Sequence, residues 1–410
     1  MLVSLALMGP NPTTAIHRPQ TGVGGADTPL RVMVVGDSMS QGMEGDWTWR
    51  YRLWEWFRHQ RVAVDFVGPY RGTKQPDAPA GPPSPPTLQG EVRENPSVTD
   101  PPVAGAYAQG VPAGFDSDHF AVWGRQAAQD KDLIGPMVAQ YRPDLVLLGL
   151  GFNDMGQLAS DATGTLDSVK TLVDRARAAK PDVRFAVANV PHRPLIDGRQ
   201  DLIVKTTQFN IMLKNAVPTW STLASPVKLV DWEGAYGCDT NVCPAGYDKL
   251  HPNALGEFQI AYAYARTLHD DYGIGQLVPD IPATIPRRPI SPVSGLAAES
   301  VPSGVKVTWD PVFGARGYTV RHRRAGTTKW RTTQVGTNRY DATWTEDGRT
   351  WEYQVRTDNG TDGESVWSST VSVTAHPETA APPGDISSLP HAGAARFGFS
   401  AWGRVSQQTT

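Results

Sequence analysis

The sequence predicts an α/β domain built on a parallel sheet with helices on both faces, followed by a smaller all-β antiparallel sandwich. Three observations carry this expectation. Short apolar runs alternate with longer stretches of helical period as far as about residue 275. A proline-rich bridge follows, from Pro279 through Pro282, Pro286 and Pro289 to Pro292. Beyond it the apolar pattern switches to period two, with turn residues between short segments.

The strand candidates, in order, are Leu30 to Val35, Val62 to Val67, Leu145 to Leu148, Phe185 to Val190 and Val227 to Val230. Each is an apolar, often β-branched run that ends abruptly, as a buried strand does. Between them, Trp47 to His59 sets Arg50, Leu53, Trp54 and Phe57 at helical spacing, and Leu166 to Ala179 and Ile203 to Ala216 continue the helical pattern. A last helix runs from Asn253 to Asp271, with Pro252 suited to its first turn. Right-handed crossovers leave few topologies for such a chain. From Arg71 to Asp118 the rhythm breaks, as in Gly81-Pro82-Pro83-Ser84-Pro85-Pro86. Loops of this length are usually functional or disordered, so this one is expected to be a substrate-flanking lid or a solvated insertion.

After the bridge, Gly304 to Trp309, Gly317 to Arg321, Trp330 to Thr333, Trp351 to Val355 and Val371 to Val373 alternate as an antiparallel sandwich requires. The remainder, Pro377 to Thr410, carries no pattern and is expected to be disordered.

At 410 residues the chain is long enough for two or three domains. A net charge of -3 with mixed signs leaves no footprint for nucleic acid or an anionic membrane. No apolar stretch reaches the ~20 residues that span a bilayer. The start, Met1 to Met8, resembles the end of a signal-peptide apolar core without the basic region before it. The expectation is a clipped export signal or a disordered terminus. Cys238 and Cys243 share one short loop. That spacing suggests a local disulfide and an oxidising compartment, with two free thiols as the alternative. A metal cage is disfavoured, because two sulfurs have no matching pair elsewhere.

The chemistry begins at Gly36-Asp37-Ser38, one step past the first strand. Open α/β sheets place their reactive groups at this carboxyl edge. A neutral serine hydroxyl needs a base to take its proton and donors to hold an oxyanion. His251 is the candidate base, and Asp248 the acid that holds its tautomer. Gly151-Phe152-Asn153-Asp154 also leaves a strand at this edge, where Asn153 can offer an amide N–H; the alternative is a turn residue. Trp123-Gly124-Arg125 supplies a glycine whose backbone amide can be another donor, or an ordinary turn.

Together these four elements resemble the SGNH hydrolase family, also called the GDSL esterases and lipases, over roughly Leu30 to Gly275. The resemblance implies a flavodoxin-like, three-layer α/β/α fold with strand order 2-1-3-4-5. It implies a catalytic triad of Ser38, His251 and Asp248. The oxyanion hole would be the Ser38 amide, the Gly124 amide and the Asn153 side chain. No metal or organic cofactor is implied. Gly45 to Trp54 with Val64 to Gly68 looks most like secreted actinobacterial members, and like a carbohydrate-esterase branch that removes acetyl groups from plant polysaccharides. Met39 stands where the family often has Leu or Ile.

The β-rich segment resembles a fibronectin type III module, especially at Trp309 and Trp351-x-Tyr353-x-Val355. It departs at Trp351, where that family usually has a tyrosine whose hydroxyl ties down a corner. The expected organisation is a disordered or leader segment 1–28, a hydrolase domain 29–276, a linker 277–291, a fibronectin type III domain 292–376 and a disordered tail 377–410. The expected protein is a secreted esterase acting on a small-molecule or polysaccharide ester, with short acyl groups such as acetyl. A lipase or general carboxylesterase, and a non-catalytic glycan-binding protein, are the alternatives. The appended module suggests contact with a polymer or cell surface, although such modules are often spacers.

Three further readings are open. Asp116-Ser117-Asp118-His119 reads as a helix cap in preference to a cation site. His192 lines an acyl pocket or sits solvated in a loop. Trp47, Trp49, Trp54 and Trp56 form a sugar-stacking surface or, for at least half of them, core.

Overall fold

The computed structural model describes residues 28–79, 81, 104–195, 198–378, 386–391 and 394–399. Most of the expected leader, the middle of the proline-rich loop and much of the tail lie outside the described residues.

The chain opens with β1 (Leu30–Gly36), α1 (Ser38–Gln41), α2 (Trp49–His59) and β2 (Val64–Phe66). Two-residue strands β3 (Thr73–Lys74) and β4 (Ala104–Gly105) pair across the proline-rich loop, and β5 (Phe120–Ala121) and α3 (Ala127–Tyr141) follow. Then come β6 (Leu145–Gly149), α4 (Phe152–Gly156), α5 (Ala162–Ala179), β7 (Arg184–Ala188), α6 (Gln200–Trp220), β8 (Val227–Val230), α7 (Trp232–Ala235) and α8 (Ala254–Tyr272). The sheet runs β2-β1-β6-β7-β8, all parallel, with β5 paired to the end of β1. Without β5 this is the order 2-1-3-4-5.

Strand β1 shows why its apolar residues are consecutive. Val32 and Val34 enter the layer formed with Leu53 and Phe57 of α2 and Ile260, Tyr264 and Leu268 of α8. Met33 and Val35 enter the opposite layer, with Ile134 and Val138 of α3, Leu172 of α5 and Phe209 and Leu213 of α6. Both faces are covered, so period two is invisible in the sequence. Helix α8 starts where Asn253 accepts from the Leu255 and Gly256 N–H groups, at 3.1 and 3.2 Å, and stops at left-handed Gly273. Pro252 therefore precedes the helix and does not occupy its first turn.

Helix α3 is not anticipated by the sequence reading, because Gly135-Pro136 interrupts the pattern. Its buried residues Ala127, Asp130, Ile134 and Val138 nevertheless keep helical spacing. Packing of these residues overrides the local break. Of Trp47, Trp49, Trp54 and Trp56, the last three are buried core and Trp47 is partly exposed. The acidic stretch does not cap a helix. Asp116 accepts from the Phe66 N–H at 2.6 Å and Asp118 pairs with Arg71, because the next element is strand β5. No group of three His, Cys, Asp or Glu side chains is placed to share a metal ion among the described residues.

The second region is an antiparallel sandwich. One sheet is β13 (Arg339–Ala342), β10 (Gly304–Thr308) and β9 (Ala297–Val301); the other is β12 (Arg331–Val335), β11 (Gly317–Arg324), β14 (Arg349–Asp358) and β15 (Val371–Ala375). Val305, Val307, Trp309, Val320, Tyr353 and Val355 fill the space between them. Trp351 Nε1 finds no acceptor among the described residues, so the indole does not take over the corner hydrogen bond. In the tail, β16 (Ile386–His391) and β17 (Ala394–Phe399) pair antiparallel where disorder is expected from sequence. Backbone ladders need no apolar run, which is why the pattern gave no sign of them.

One side chain binds the loops to the sheet. Arg50 of α2 is buried, and its guanidinium donates to the carbonyls of Ser40, Gln41, Gly72 and Ser117 and to Tyr107 Oη, at 2.7 to 3.2 Å. Replacing it (Arg50→Met) takes the buried donor from the Ser40 and Gln41 carbonyls, while the Gly72 carbonyl keeps Tyr107 Oη at 3.1 Å. A loss of at least about 3 kcal/mol is expected, read as a lower urea midpoint at unchanged slope.

Candidate active site

Ser38 is the first residue of α1, directly after β1. Asp37 caps that helix, its Oδ1 accepting from the Met39 N–H at 3.0 Å. The Ser38 N–H, at the first helical position, has no intrahelical acceptor. Ser38 Oγ lies 2.9 Å from His251 Nε2, and His251 Nδ1 lies 2.7 Å from Asp248 Oδ2. With the imidazole proton on Nδ1 facing the carboxylate, Nε2 is left to accept from the serine hydroxyl.

A tight turn brings Asp248 and His251 together. Lys249 takes a left-handed φ of 73°, and Asp248 Oδ1 accepts from the Leu250 and His251 N–H groups at 3.0 and 2.8 Å. Burial raises the Asp248 pKa, but the hydrogen bond and charge of His251 and the two backbone donors outweigh it and hold it below its ordinary value. Trp123 stacks on the His251 ring at 4.4 Å, and Tyr247 packs against it at 5.7 Å. Just upstream, Cys238 and Cys243 are bonded to each other.

The two other predicted donors lie beside this chain. The β1–β5 pairing runs the following loop along α1: the Val122 N–H donates to the Gly36 carbonyl at 3.1 Å, and the Trp123 N–H to Gln41 Oε1 at 2.7 Å. Gly124 then turns at a φ of 77°, which a side chain would oppose. Asn153 is buried on α4. Its Nδ2 donates to Asp37 Oδ2 at 3.2 Å and to the Arg125 carbonyl at 3.1 Å. Gln157 Nε2 reaches both the Gly124 carbonyl and Asn153 Oδ1 at 3.3 Å, coupling the two donors.

Gln157 and Arg193 belong to none of the sequence motifs, and Asp154 closes the Gly151-Phe152-Asn153-Asp154 motif without a role assigned to it there. Asp154 is fully buried and accepts from the Ala127 and Ala128 N–H groups at 2.8 and 2.9 Å, fixing the start of α3. Arg193 is buried with its guanidinium over the Phe152 ring, and burial pushes its pKa down to about 9. A short polar residue after a strand was the available signal for Asp154; Arg193 carries none. His192 makes a contact with Glu233 at 3.1 Å and borders a small cavity with Arg193, Leu195 and Leu202.

Residues 93–257 match the GDSL-like Lipase/Acylhydrolase family, a span holding Gly124, Asn153, Asp248 and His251 but not Ser38. Among solved structures, the chain is similar to a carbohydrate esterase family 3 from Talaromyces cellulolyticus, at 24% identity over 58% of this chain and 96% of that one, TM-score 0.43. It is similar to a Clostridium thermocellum family 3 carbohydrate esterase at 20% identity, over 61% and 100%, TM-score 0.42. A Fn3-like protein from Clostridium thermocellum matches at 22% identity, over 21% and 94%, TM-score 0.19. No curated protein matches the chain.

Asp37 generates a pH prediction. Burial is the main cause raising it from 3.8 to about 6, against the Met39 N–H and the charges of His251 and Arg193. Its contribution to stability is therefore full below its unfolded pKa and is lost as pH rises through about 6. Asp37→Asn keeps an acceptor for the helix cap and removes that loss. Relative to wild type the variant is expected to gain up to about 3 kcal/mol between acid and neutral pH. Urea midpoints measured across that range check it; a constant difference contradicts it.

Proposed function

We propose that this protein is a serine esterase that hydrolyses carboxylic esters through an acyl-serine intermediate. The hydrogen-bonded series Ser38 Oγ, His251 Nε2, His251 Nδ1 and Asp248 Oδ2, at 2.9 and 2.7 Å, carries the reading. His251 takes the Ser38 proton as the oxygen attacks the ester carbonyl. The developing oxyanion is held by the Ser38 and Gly124 N–H groups and by Asn153, which turns one N–H from the Arg125 carbonyl toward it. His251 then protonates the leaving alcohol, and a water molecule deprotonated by His251 releases the acid from Ser38. Asp248 keeps the imidazole oriented and stabilises its charged form throughout.

The substrate class is a short acyl ester, such as acetyl on a polysaccharide. The resemblance of Gly45 to Trp54 to polysaccharide deacetylases and the partly exposed Trp47 and Trp123 support it. A longer acyl chain has one observation in its favour: Leu158, beside Gln157, is 67% exposed. We assign the hydrolase domain to 29–276, the linker to 277–291, the fibronectin-like domain to 292–376 and the chain to an extracellular, oxidising compartment. The Cys238–Cys243 bond supports that location, and no helix among the described residues is long and apolar enough to cross a membrane.

Ser38→Ala is expected to lower kcat on p-nitrophenyl acetate by at least about 1000-fold, and Asp248→Asn by about 100-fold or more. Unchanged turnover in Ser38→Ala sinks the reading, and failure of a fluorophosphonate to label Ser38 supports a binding protein in its place. Across p-nitrophenyl esters, an optimum at acetyl or butyryl is expected; an optimum at octanoyl or beyond selects the lipase alternative.

A further inference from the structure

The loop Gly246 to Asn253 carries both Asp248 and His251, and the hydrolase region holds it through Tyr236, through the start of α8 at Asn253 and through Trp123 on the His251 ring. The Tyr247 N–H donates to the His251 carbonyl at 2.9 Å, the Asn253 N–H to the Ala245 carbonyl at 2.9 Å, and Tyr236 Oη to the Leu250 carbonyl at 3.0 Å. These bonds make the loop a rigid unit. Ser38 lies 213 positions from His251 and meets the loop through it, and Trp123, its N–H held by Gln41 of α1, stacks on the same imidazole.

The other side of the loop is held by the β-sandwich. Its Gly360–Asp362 turn, between β14 and β15, sits on the loop backbone. The Thr361 N–H donates to the Tyr247 carbonyl at 3.1 Å, and Thr361 Oγ1 donates to the Gly246 carbonyl at 3.2 Å. The same oxygen accepts from Asn253 Nδ2 at 3.1 Å. One hydroxyl thus staples the two ends of the segment between which Asp248 and His251 lie. Gly360 permits this approach: its φ is 62°, and a Cβ there would collide with the Tyr247 carbonyl oxygen.

A second contact reaches the imidazole. The Arg316 guanidinium lies 3.6 Å from the centre of the Tyr247 ring, which packs on His251. Arg316 is itself fixed between Asp362 at 3.1 Å and Asp46 at 3.2 Å, and Asp46 also pairs with buried Arg288. The bridge residue Arg288 further donates to the carbonyls of Glu44 and Gly314. Between the two regions, the proline-rich bridge is therefore anchored and not a free tether.

The geometry points to the β-sandwich as a positioning element of the active site. Thr361 and Gly360 set the distance between His251 and Ser38, with Arg316 bearing on Tyr247. The inference rests on the esterase reading above. A displacement of about 1 Å at reacting groups is enough to cost about 100-fold in rate.

The test uses the full chain. Thr361→Val keeps the shape and removes the hydroxyl; Gly360→Ala forces the turn off the Tyr247 carbonyl; Thr361→Ser restores the hydroxyl. Thr374→Ala is the control, since this exposed residue of edge strand β15 bonds Thr350 at 2.9 Å. Fluorophosphonate labelling of Ser38 and the split of kcat and KM on p-nitrophenyl acetate are measured well below the unfolding temperature. Thr361→Val and Gly360→Ala are expected to label and turn over at least about tenfold more slowly, with KM little changed. Thr361→Ser and Thr374→Ala are expected to stay near wild type. Wild-type labelling in both Thr361→Val and Gly360→Ala overturns the inference and leaves the esterase reading intact. A wild-type chain that is not labelled at Ser38 overturns both.

Discussion

The parallel pairing of β1 with β6 is the constraint on which the rest of the molecule depends. Gly36 stands opposite Gly149, so both strands end at one level, and α1 and α4 begin just beyond it. Ser38 and Asn153 inherit their proximity from that register. A slip of one residue would exchange Val32 and Val34 with Met33 and Val35 between the two apolar layers. The cost of turning every β1 side chain to the wrong layer keeps the site in place. Arg50 extends the constraint outward, tying the end of α1 to the carbonyls of the long loop.

Beneath the site the chain buries carboxylates, and each is placed where something offsets the loss of water. Asp37 and Asp154 accept backbone N–H groups at helix starts, where the peptide dipoles favour negative charge. Asp130, paired with Arg125, is still pushed up to about 7, burial being the largest cause. At the junction of the two regions, Asp46 is compensated by Arg288 and Arg316 together. Breaking one member of such a set leaves an uncompensated buried charge, so the junction resists separation.

Much of this architecture was legible. Five parallel strands, α2, α5, α6 and α8 and the sandwich follow from apolar period and from glycine or proline punctuation. What escaped was governed by contacts distant in sequence. Helix α3 survives Gly135-Pro136 because Ile134 and Val138 pack on the sheet. Asp116 and Asp118 resemble a cap until β5 claims the following residues. The residues Ser38, Gly124, Asn153, Asp248 and His251 could be picked out as motifs, since each stands at a strand end or a tight turn. Gln157 and Thr361 could not, because a polar residue on a helix or in a surface turn has no distinguishing local pattern.

Local conformation is written in short stretches of the chain: buried strands ending in glycine, helices begun by Asp37 and Asn253, and an Asp-x-x-His spacing short enough for one turn to join the two side chains. These are set by steric and hydrogen-bonding preferences within a few residues. That His251 reaches Ser38, and that Thr361 touches Asn253 across 108 positions, comes from the packed fold. Such contacts depend on which faces are buried together, an outcome of the whole chain's apolar packing that no short segment encodes.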